Sequence, residues 1–570
     1  MANVKISALS NASALTGTEE VPLVQGGVTL KTTTQDVVDL ALGSIVIVEG
    51  TGGASSTVRS GSFNTASGSC STVSGGSNNT AGGYNSTISG GYSNTAGGSF
   101  SNINGGIFNS AISDYSTIGG GSNNIAYDVC ATVGGGRSNS ASGFSSTVSG
   151  GNNNYASGSC SFVGGGYSNI ATDSSSTVSG GYCNSASGPI STVSGGRYNS
   201  ATYYGSTIGG GSFNTASGFN STVSGGTNNT ASGSCSFVGG GQTNIASSYS
   251  STIGGGRYNT ASGGLSTIAG GRNNIAASGC SFVGGGGANT ACSCSTVVGG
   301  DGNTANADFS FIGAGRTNNA TGPYSTIAGG TRNTSSNNAS FVGGGNCNTA
   351  SGFRSTIGGG STNIASATHS TLSGGYCNVV SGNNATVSGG RGNTASGLYS
   401  TIGAGRSNAA SGFYSTIGGG RGNATTSGTF GSTISGGRFN VAYCNDSTIS
   451  GGCGNTTRGN NATVGGGYGN TANGVNSTVS GGYFNTTNGL YSTVSGGRSN
   501  MASGAYSSIL GGQFNDTSFY SDAMIIGSNI TADRSCATFV NNLSVKNIPT
   551  SSAGLPSGSV WSDGGILKIV

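Results

Sequence analysis

Apolar side chains recur at two places in a unit of 15 residues, and polar residues and glycine fill the remainder of the unit. The segments STVSGG, STISGG, SNINGG, STIGGG and ATVGGG begin at residues 71, 86, 101, 116 and 131, and the same register continues to Gly512. Numbered from its first Ser, the unit reads S-T-V/I-x-G-G-x-x-N-T-A-S-G-x-x. A fixed period of this kind indicates a repeat architecture in which each unit is one structural module.

The apolar positions 3 and 11, occupied in one unit by Val73 and Ala81, alternate with polar neighbours in the period of two that short strands show. The glycine pair at positions 5 and 6 supplies the positive φ that a corner requires. The fold class is therefore predicted to be all-β, a parallel β-solenoid (β-roll) of about 31 turns of 15 residues. The repeat that begins at residue 295 starts one residue earlier than the 15-residue period requires, and the repeat that begins at residue 432 starts two residues later. These departures predict corners with fewer or more residues.

One Val or Ile and one Ala per turn bury little apolar surface compared with the backbone entropy of about 1–2 kcal/mol that each ordered residue loses. The stability is therefore expected to come from stacking and from a core shared between chains. This argument predicts that the chain forms an oligomer.

Composition excludes several classes of protein. Hydrophobic residues make up 33% of the chain, which is too few for ordinary globular cores, while the 6% of charged residues is too low for typical charged disorder. The net charge of +4 is spread singly, so nucleic acid is not expected as a partner. The start MANVKISALS does not resemble a signal peptide, and no apolar run approaches the roughly 20 residues of a membrane span. We expect folding in a cytoplasm and no membrane insertion.

Asn occupies position 9 in unit after unit. The members of this structural Asn column that define the prediction are Asn79, Asn94, Asn124, Asn139, Asn259 and Asn393. Two roles are open for it. The side chains form an amide ladder from turn to turn, or Asn adopts the left-handed conformation at a corner.

Position 7, just after the glycine pair, alternates between Arg and Tyr and is expected to face solvent. The candidate glycan-contact ridge consists of Arg137, Arg197, Arg257, Arg272, Arg391, Arg406, Arg421, Tyr167, Tyr182, Tyr376, Tyr468 and Tyr483, with Arg316, Arg438, Arg498 and Tyr92 in the same column. Arg forks bind carboxylates, phosphates and sugar hydroxyls, and Tyr offers a flat amphipathic face, so repeated weak contacts with a surface glycan are one interpretation. The alternative is that these side chains only keep a charge-poor chain soluble.

No enzyme is expected, with no catalytic residue, no cofactor and no metal. Asp301 and Asp308 are the nearest candidates for the paired carboxylates that a glycan-cleaving site needs, and the sole His369 stands alone. Cysteines fall in two columns and are predicted to be small buried side chains. These columns contain Cys70, Cys130, Cys160, Cys235, Cys280 and Cys294 before the first strand, and Cys183, Cys347 and Cys377 near the first corner.

The units N-T-A-S-G-x-x-S-T-V-S-G, over about residues 54–515, resemble the head repeats of trimeric autotransporter adhesins. That resemblance implies a parallel β-roll homotrimer, either intertwined or side by side, although those heads typically use 14 residues per turn. Residues 5–42 resemble the amino-terminal module of phage tail-fibre proteins, and residues 538–570, with the single Trp561, resemble the terminal segment of phage fibre proteins. Within the first module, VPLVQGGVTLKTT predicts a hairpin turning at Gly26–Gly27, followed by a short helix from Thr34 to Leu42.

These observations predict a virion-attachment module at 1–53, a solenoid shaft at 54–515 and a carboxyl-terminal transition and tip at 516–570. The expected function is that of a structural fibre on the outside of a phage virion, contributing to host-surface adhesion, with other virion proteins as partners of residues 1–53. A spacer or decoration without receptor binding is the alternative. A second alternative is a cell-surface adhesin or an ice-binding solenoid. Ice binding would use the Thr column, but this column is interrupted by the aromatic rings of Phe162, Phe237, Phe282, Phe311 and Phe341.

Overall fold

The computed structural model describes residues 54–544 and 546–570, together with the backbone of the strands Glu20–Gln25, Val28–Thr33 and Val48–Glu49. It confirms an all-β parallel β-solenoid, with about 32 turns of about 15 residues. The chain divides into two compact units, Met1–Ser293 and Cys294–Val570. The described ranges contain no helix, and hence no helix that could cross a membrane.

In the first unit, each turn contributes one two-residue strand to each of two parallel sheets. Strands of the Val/Ile sheet begin every 15 residues from Thr57–Val58 to Phe282–Val283, and strands of the Ala sheet do so from Thr65–Ala66 to Thr290–Ala291. Equivalent residues of successive turns are paired, as in Val73 with Ile88. Val48–Glu49 pairs antiparallel with Thr57–Val58 and so covers the first edge of the Val/Ile sheet.

The second unit repeats this arrangement. Its Val/Ile sheet runs at the same interval from Thr296–Val297 to Thr416–Ile417 and from Thr433–Ile434 to Ser508–Ile509, and its Ala sheet from Thr304–Ala305 to Ala424–Thr425 and from Val441–Ala442 to Met501–Ala502. Two further strands, Met524–Ile526 and Thr538–Val540, extend the Val/Ile sheet past the predicted boundary at 515. Val560–Asp563 and Ile566–Ile569 form an antiparallel hairpin.

The side chains at positions 1, 3, 9 and 11 point into each turn. Val73, Ile88 and Ile118 at position 3, like Ala81 at position 11, have no exposed surface, which confirms the two predicted apolar columns. Ser at position 1 and Asn at position 9 are buried beside them. These columns are buried within one chain, without a contribution from a neighbouring chain.

Backbone hydrogen bonds join each turn to both of its neighbours. In the second turn, the N–H of Thr72 donates to the carbonyl of Ser86 in the next turn at 2.8 Å, whereas the N–H of Asn78 donates to the carbonyl of Ser62 in the preceding turn at 2.9 Å. The direction reverses at positions 8 and 15 because those residues have positive φ, for example 59° at both Asn78 and Cys70. From the sequence, positive φ was expected for the glycine pair and, as one alternative, for the Asn column, but not for positions 8 and 15.

At the amino terminus, Glu20–Gln25 pairs antiparallel with Val28–Thr33 in a register that joins Gln25 to Val28. This confirms the predicted hairpin about residues 26 and 27. The predicted helix from Thr34 to Leu42 lies outside the described residues.

Candidate functional site

One corner of each turn, positions 5 to 9, is held by the buried Asn; we call it the Asn corner. In the turn containing Asn229, the side-chain Oδ1 accepts the backbone N–H of Asn244 at 2.9 Å. Its Nδ2 donates to the carbonyls of Gly225 and Gly241 at 2.9 and 3.0 Å. All six Asn residues named in the sequence analysis bond to the next turn in this way, and the positive φ falls on the residue before them. The geometry is that of a turn-to-turn ladder.

The second glycine of each pair lies so close to the next turn that no side chain fits. A Cβ placed on Gly226, whose φ is +89°, would lie 2.2 Å from the carbonyl oxygen of Gly241 and 2.6 Å from Nδ2 of Asn229. A Cβ on the preceding Gly225 would meet nothing within 4 Å. The Asn corner therefore depends on glycine at position 6 and not at position 5.

The predicted ridge lies on this corner, and each of its Arg and Tyr side chains is exposed to solvent. Its backbone forms a third parallel ladder that the sequence analysis did not anticipate. The N–H of Arg137, for example, donates to the carbonyl of Gly151 at 2.9 Å, and its carbonyl accepts the N–H of Asn153 at 2.9 Å. The backbone thus spaces the ridge side chains one turn apart.

Neighbouring ridge side chains contact one another where the column is aromatic. The rings of Tyr167 and Tyr182 stack with centroids 5.1 Å apart, and those of Tyr468 and Tyr483 stack at 5.2 Å. A hydrogen bond with Tyr198 raises the pKa of the Tyr182 phenol above its ordinary value. All four tyrosines remain exposed to solvent in these stacks.

We call the opposite corner of each turn, positions 12 to 15, the loop corner. Its charged side chains differ in sign from those of the Asn corner. The ridge holds most of the arginines of the described turns, whereas most of the carboxylates lie on the loop corner: Asp114, Asp128, Asp173, Asp308 and Asp446. Asp301 is an exception at position 7. Because Asp301 and Asp308 occupy opposite corners of one turn, the structure does not bring these two carboxylates together.

Aromatic stacks also line the loop corner, and the sequence analysis did not single them out. Ring pairs at position 15 stack with centroids 4.9 to 5.3 Å apart: Phe100 with Tyr115, Phe309 with Tyr324, Tyr399 with Tyr414, and Tyr491 with Tyr506. The recurrence of Phe and Tyr at a position 15 residues apart was a sequence signal that could have found them.

The prediction that the cysteines are buried is wrong. Cys70, Cys130, Cys160, Cys235 and Cys280 are exposed, and Cys183, Cys294, Cys347 and Cys377 are partly exposed. All of them occupy position 8 or the last position of a turn, where positive φ turns the side chain outward from the corner. In the part of the chain that the structure describes, no group of three or more His, Cys, Asp or Glu residues is arranged to hold a metal ion.

Neither a protein-family model nor a curated protein matches this chain. The resemblances to adhesin heads and phage fibres therefore depend on the repeat and on the two end segments described above.

Proposed function

We propose that the chain is a structural fibre protein of a phage virion whose ridge contacts glycans on the host surface. Residues 1–53 join other virion proteins, the solenoid forms the shaft, and the exposed Arg and Tyr column meets the host. The observation that supports this proposal is the regularity of the ridge. Backbone bonds on both sides space its exposed side chains, so weak contacts with a repeating polymer add along the shaft.

The proposed assembly is a side-by-side homotrimer. Each chain closes its own core, so an intertwined core is not needed to bury apolar side chains. The Arg and Tyr ridge has to stay exposed to meet a glycan, so the copies are proposed to pack through faces of the solenoid other than the ridge. A contact between two different surfaces of identical chains closes into a ring when the rotation permits it, and three copies are the smallest such ring beyond a pair.

Cryo-electron microscopy of the purified protein tests the assembly. We expect threefold symmetry and an axial repeat of about 4.8 Å from stacked turns. A monomeric particle would contradict the trimer.

Adsorption to an array of bacterial lipopolysaccharides and capsular polysaccharides tests the adhesive role. Four ridge tyrosines are replaced in one variant (Tyr167→Ser, Tyr182→Ser, Tyr468→Ser and Tyr483→Ser), and four loop-corner tyrosines in a matched control (Tyr399→Ser, Tyr414→Ser, Tyr491→Ser and Tyr506→Ser). We expect the ridge variant to lose binding and the control to keep it. If the ridge variant binds as the unaltered chain does, the protein acts as a spacer.

A further inference from the structure

Four successive turns of the second unit carry Arg at the ridge position. This arginine ladder consists of Arg391, Arg406, Arg421 and Arg438, and parallel backbone bridges join each of them to the next. Turns stacked by parallel pairing are about 4.7–4.9 Å apart, so the four side chains leave the backbone at that interval. No other run of four consecutive ridge positions in the described turns consists of Arg alone.

The positive charges of the ladder are not balanced by the protein. All four side chains are exposed, and the ion pairs found in the described residues are Arg534 with Asp533 and Lys568 with Asp563, both remote in sequence from the ladder. Charges of one sign at this spacing repel one another. An anion bound across several turns would relieve the repulsion between the arginines. Its affinity would also gain from the release of the counterions that surround these side chains.

Aromatic rings hold the two ends of the ladder. The guanidinium of Arg391 lies over the ring of Tyr376, 5.3 Å from its centroid. The guanidinium groups of Arg421 and Arg438 lie 5.6 and 5.7 Å from the centroid of Phe439. That ring occupies the space beside Gly422, where a Cβ would be 2.6 Å from the ring. Contacts of this kind orient a guanidinium before a ligand arrives and so lower the entropy lost on binding.

We propose that the arginine ladder binds an anionic polysaccharide, with the guanidinium forks meeting carboxylate or phosphate groups on successive sugars. A row one residue wide, with aromatic faces at its ends, fits a single extended sugar chain rather than the width of a nucleic acid duplex. Arg forks pair with carboxylates and phosphates through two parallel hydrogen bonds. The inference rests on the proposed adhesive function and names the ligand class for one segment of the ridge.

The test compares two variants that remove the same charge from the full-length protein. The ladder variant carries Arg391→Gln, Arg406→Gln, Arg421→Gln and Arg438→Gln. The scattered control carries Arg137→Gln, Arg197→Gln, Arg257→Gln and Arg498→Gln. Binding is measured by biolayer interferometry against immobilised polygalacturonate, neutral dextran, duplex DNA and single-stranded DNA, at low salt and at physiological salt.

We expect the unaltered protein to bind polygalacturonate more tightly than either DNA or dextran, and to weaken as salt screens the charges. The ladder variant should lose about tenfold or more in affinity and the scattered control less than about threefold, because contacts made side by side add along one ligand. Hydrogen exchange over residues 386–449 checks that the turns of the ladder variant remain folded.

Three outcomes would overturn the inference: no binding of polygalacturonate by the unaltered protein, equal loss in the two variants, or tighter binding of DNA through the same arginines. Failure of the proposed function looks different. In that case polygalacturonate binding would depend on the ladder, yet the unaltered protein would adsorb to none of the bacterial polysaccharides on the array.

Discussion

The two corners of each turn are built in different ways. At the Asn corner, a buried side chain bonds to its own turn and to the next, and glycine at position 6 is pressed against the following carbonyl. At the loop corner, backbone bonds connect the turns, such as that from Asn220 N–H to the carbonyl of Tyr204 at 2.9 Å. Residue types there range from Cys to Phe and Asp.

Three of the four changes in turn length fall on the loop corner; the fourth shortens the turn between Met524 and Thr538 by one residue, where Ile530 takes the place of the Asn at position 9. The loop corner has one residue fewer at 292–294, two more at 426–431 and one more at 518–522. The Asn ladder continues past the longest of these, because the N–H of Asn440 still donates to Oδ1 of Asn423, 17 residues earlier, at 3.0 Å. A corner at which the same buried Asn joins each turn to the next thus keeps its length, whereas the loop corner, joined by backbone bonds and by side-chain bonds that vary from turn to turn, accommodates extra residues.

The largest expected effect is that of Gly226→Ala at the Asn corner. The added Cβ would collide with the carbonyl of Gly241 at a positive φ, so we expect about 3 kcal/mol or more of local destabilisation. Hydrogen exchange of residues 206–250 in the full chain measures it. Gly225→Ala, one residue earlier with open space, is the control, and similar exchange in both variants would contradict the role of position 6.

Asn229→Ala is expected to cost about 2–4 kcal/mol. It removes four hydrogen bonds and leaves the N–H and Nδ2 of Asn244 and the carbonyls of two glycines without that partner. The exchange rate of the Asn244 amide reports the change directly. Asn228→Gly provides the control, because position 8 is exposed and carries glycine elsewhere, as at Gly392.

Inserting Ser-Gly after Ser232 lengthens the loop corner and is expected to cost about 1 kcal/mol, since extending a loop adds little closure entropy. The same insertion after Gly225 breaks the Asn corner and should unfold the adjoining turns. Limited proteolysis of the two proteins distinguishes the cases. Equal protease sensitivity would show that both corners tolerate length changes alike.

The smallest effect concerns the positive-φ residues, and here we expect stabilisation. Ile190 is β-branched and exposed at a φ of 56°, a conformation that Asn adopts more readily. Ile190→Asn should slow local hydrogen exchange by an amount equivalent to about 1 kcal/mol. Ile170→Asn changes an exposed position in a strand, where Asn is disfavoured, so this variant should instead speed local hydrogen exchange.

Much of the fold follows from local patterns. The 15-residue period, the inward columns of Val73 and Ala81 and the hairpin about residues 26 and 27 were predictable, because alternation of apolar and polar residues encodes which side chains point inward. The exposed position of the ridge followed from its variability beside a glycine pair. The ladder role of Asn79 remained one of two alternatives, since the sequence does not state which atoms its amide meets.

By itself, the sequence determined the period, the class of fold and the identity of the buried columns. Only the tertiary structure decided that Cys70 and Asn78 adopt positive φ, that each chain encloses its own core, and that Asp301 and Asp308 lie on opposite corners. The reason is physical. Burial depends on residue type and leaves a trace in the sequence, whereas the φ of a corner residue is imposed by hydrogen bonds to the turns on either side, which accept Cys, Asn, Phe or Ile alike.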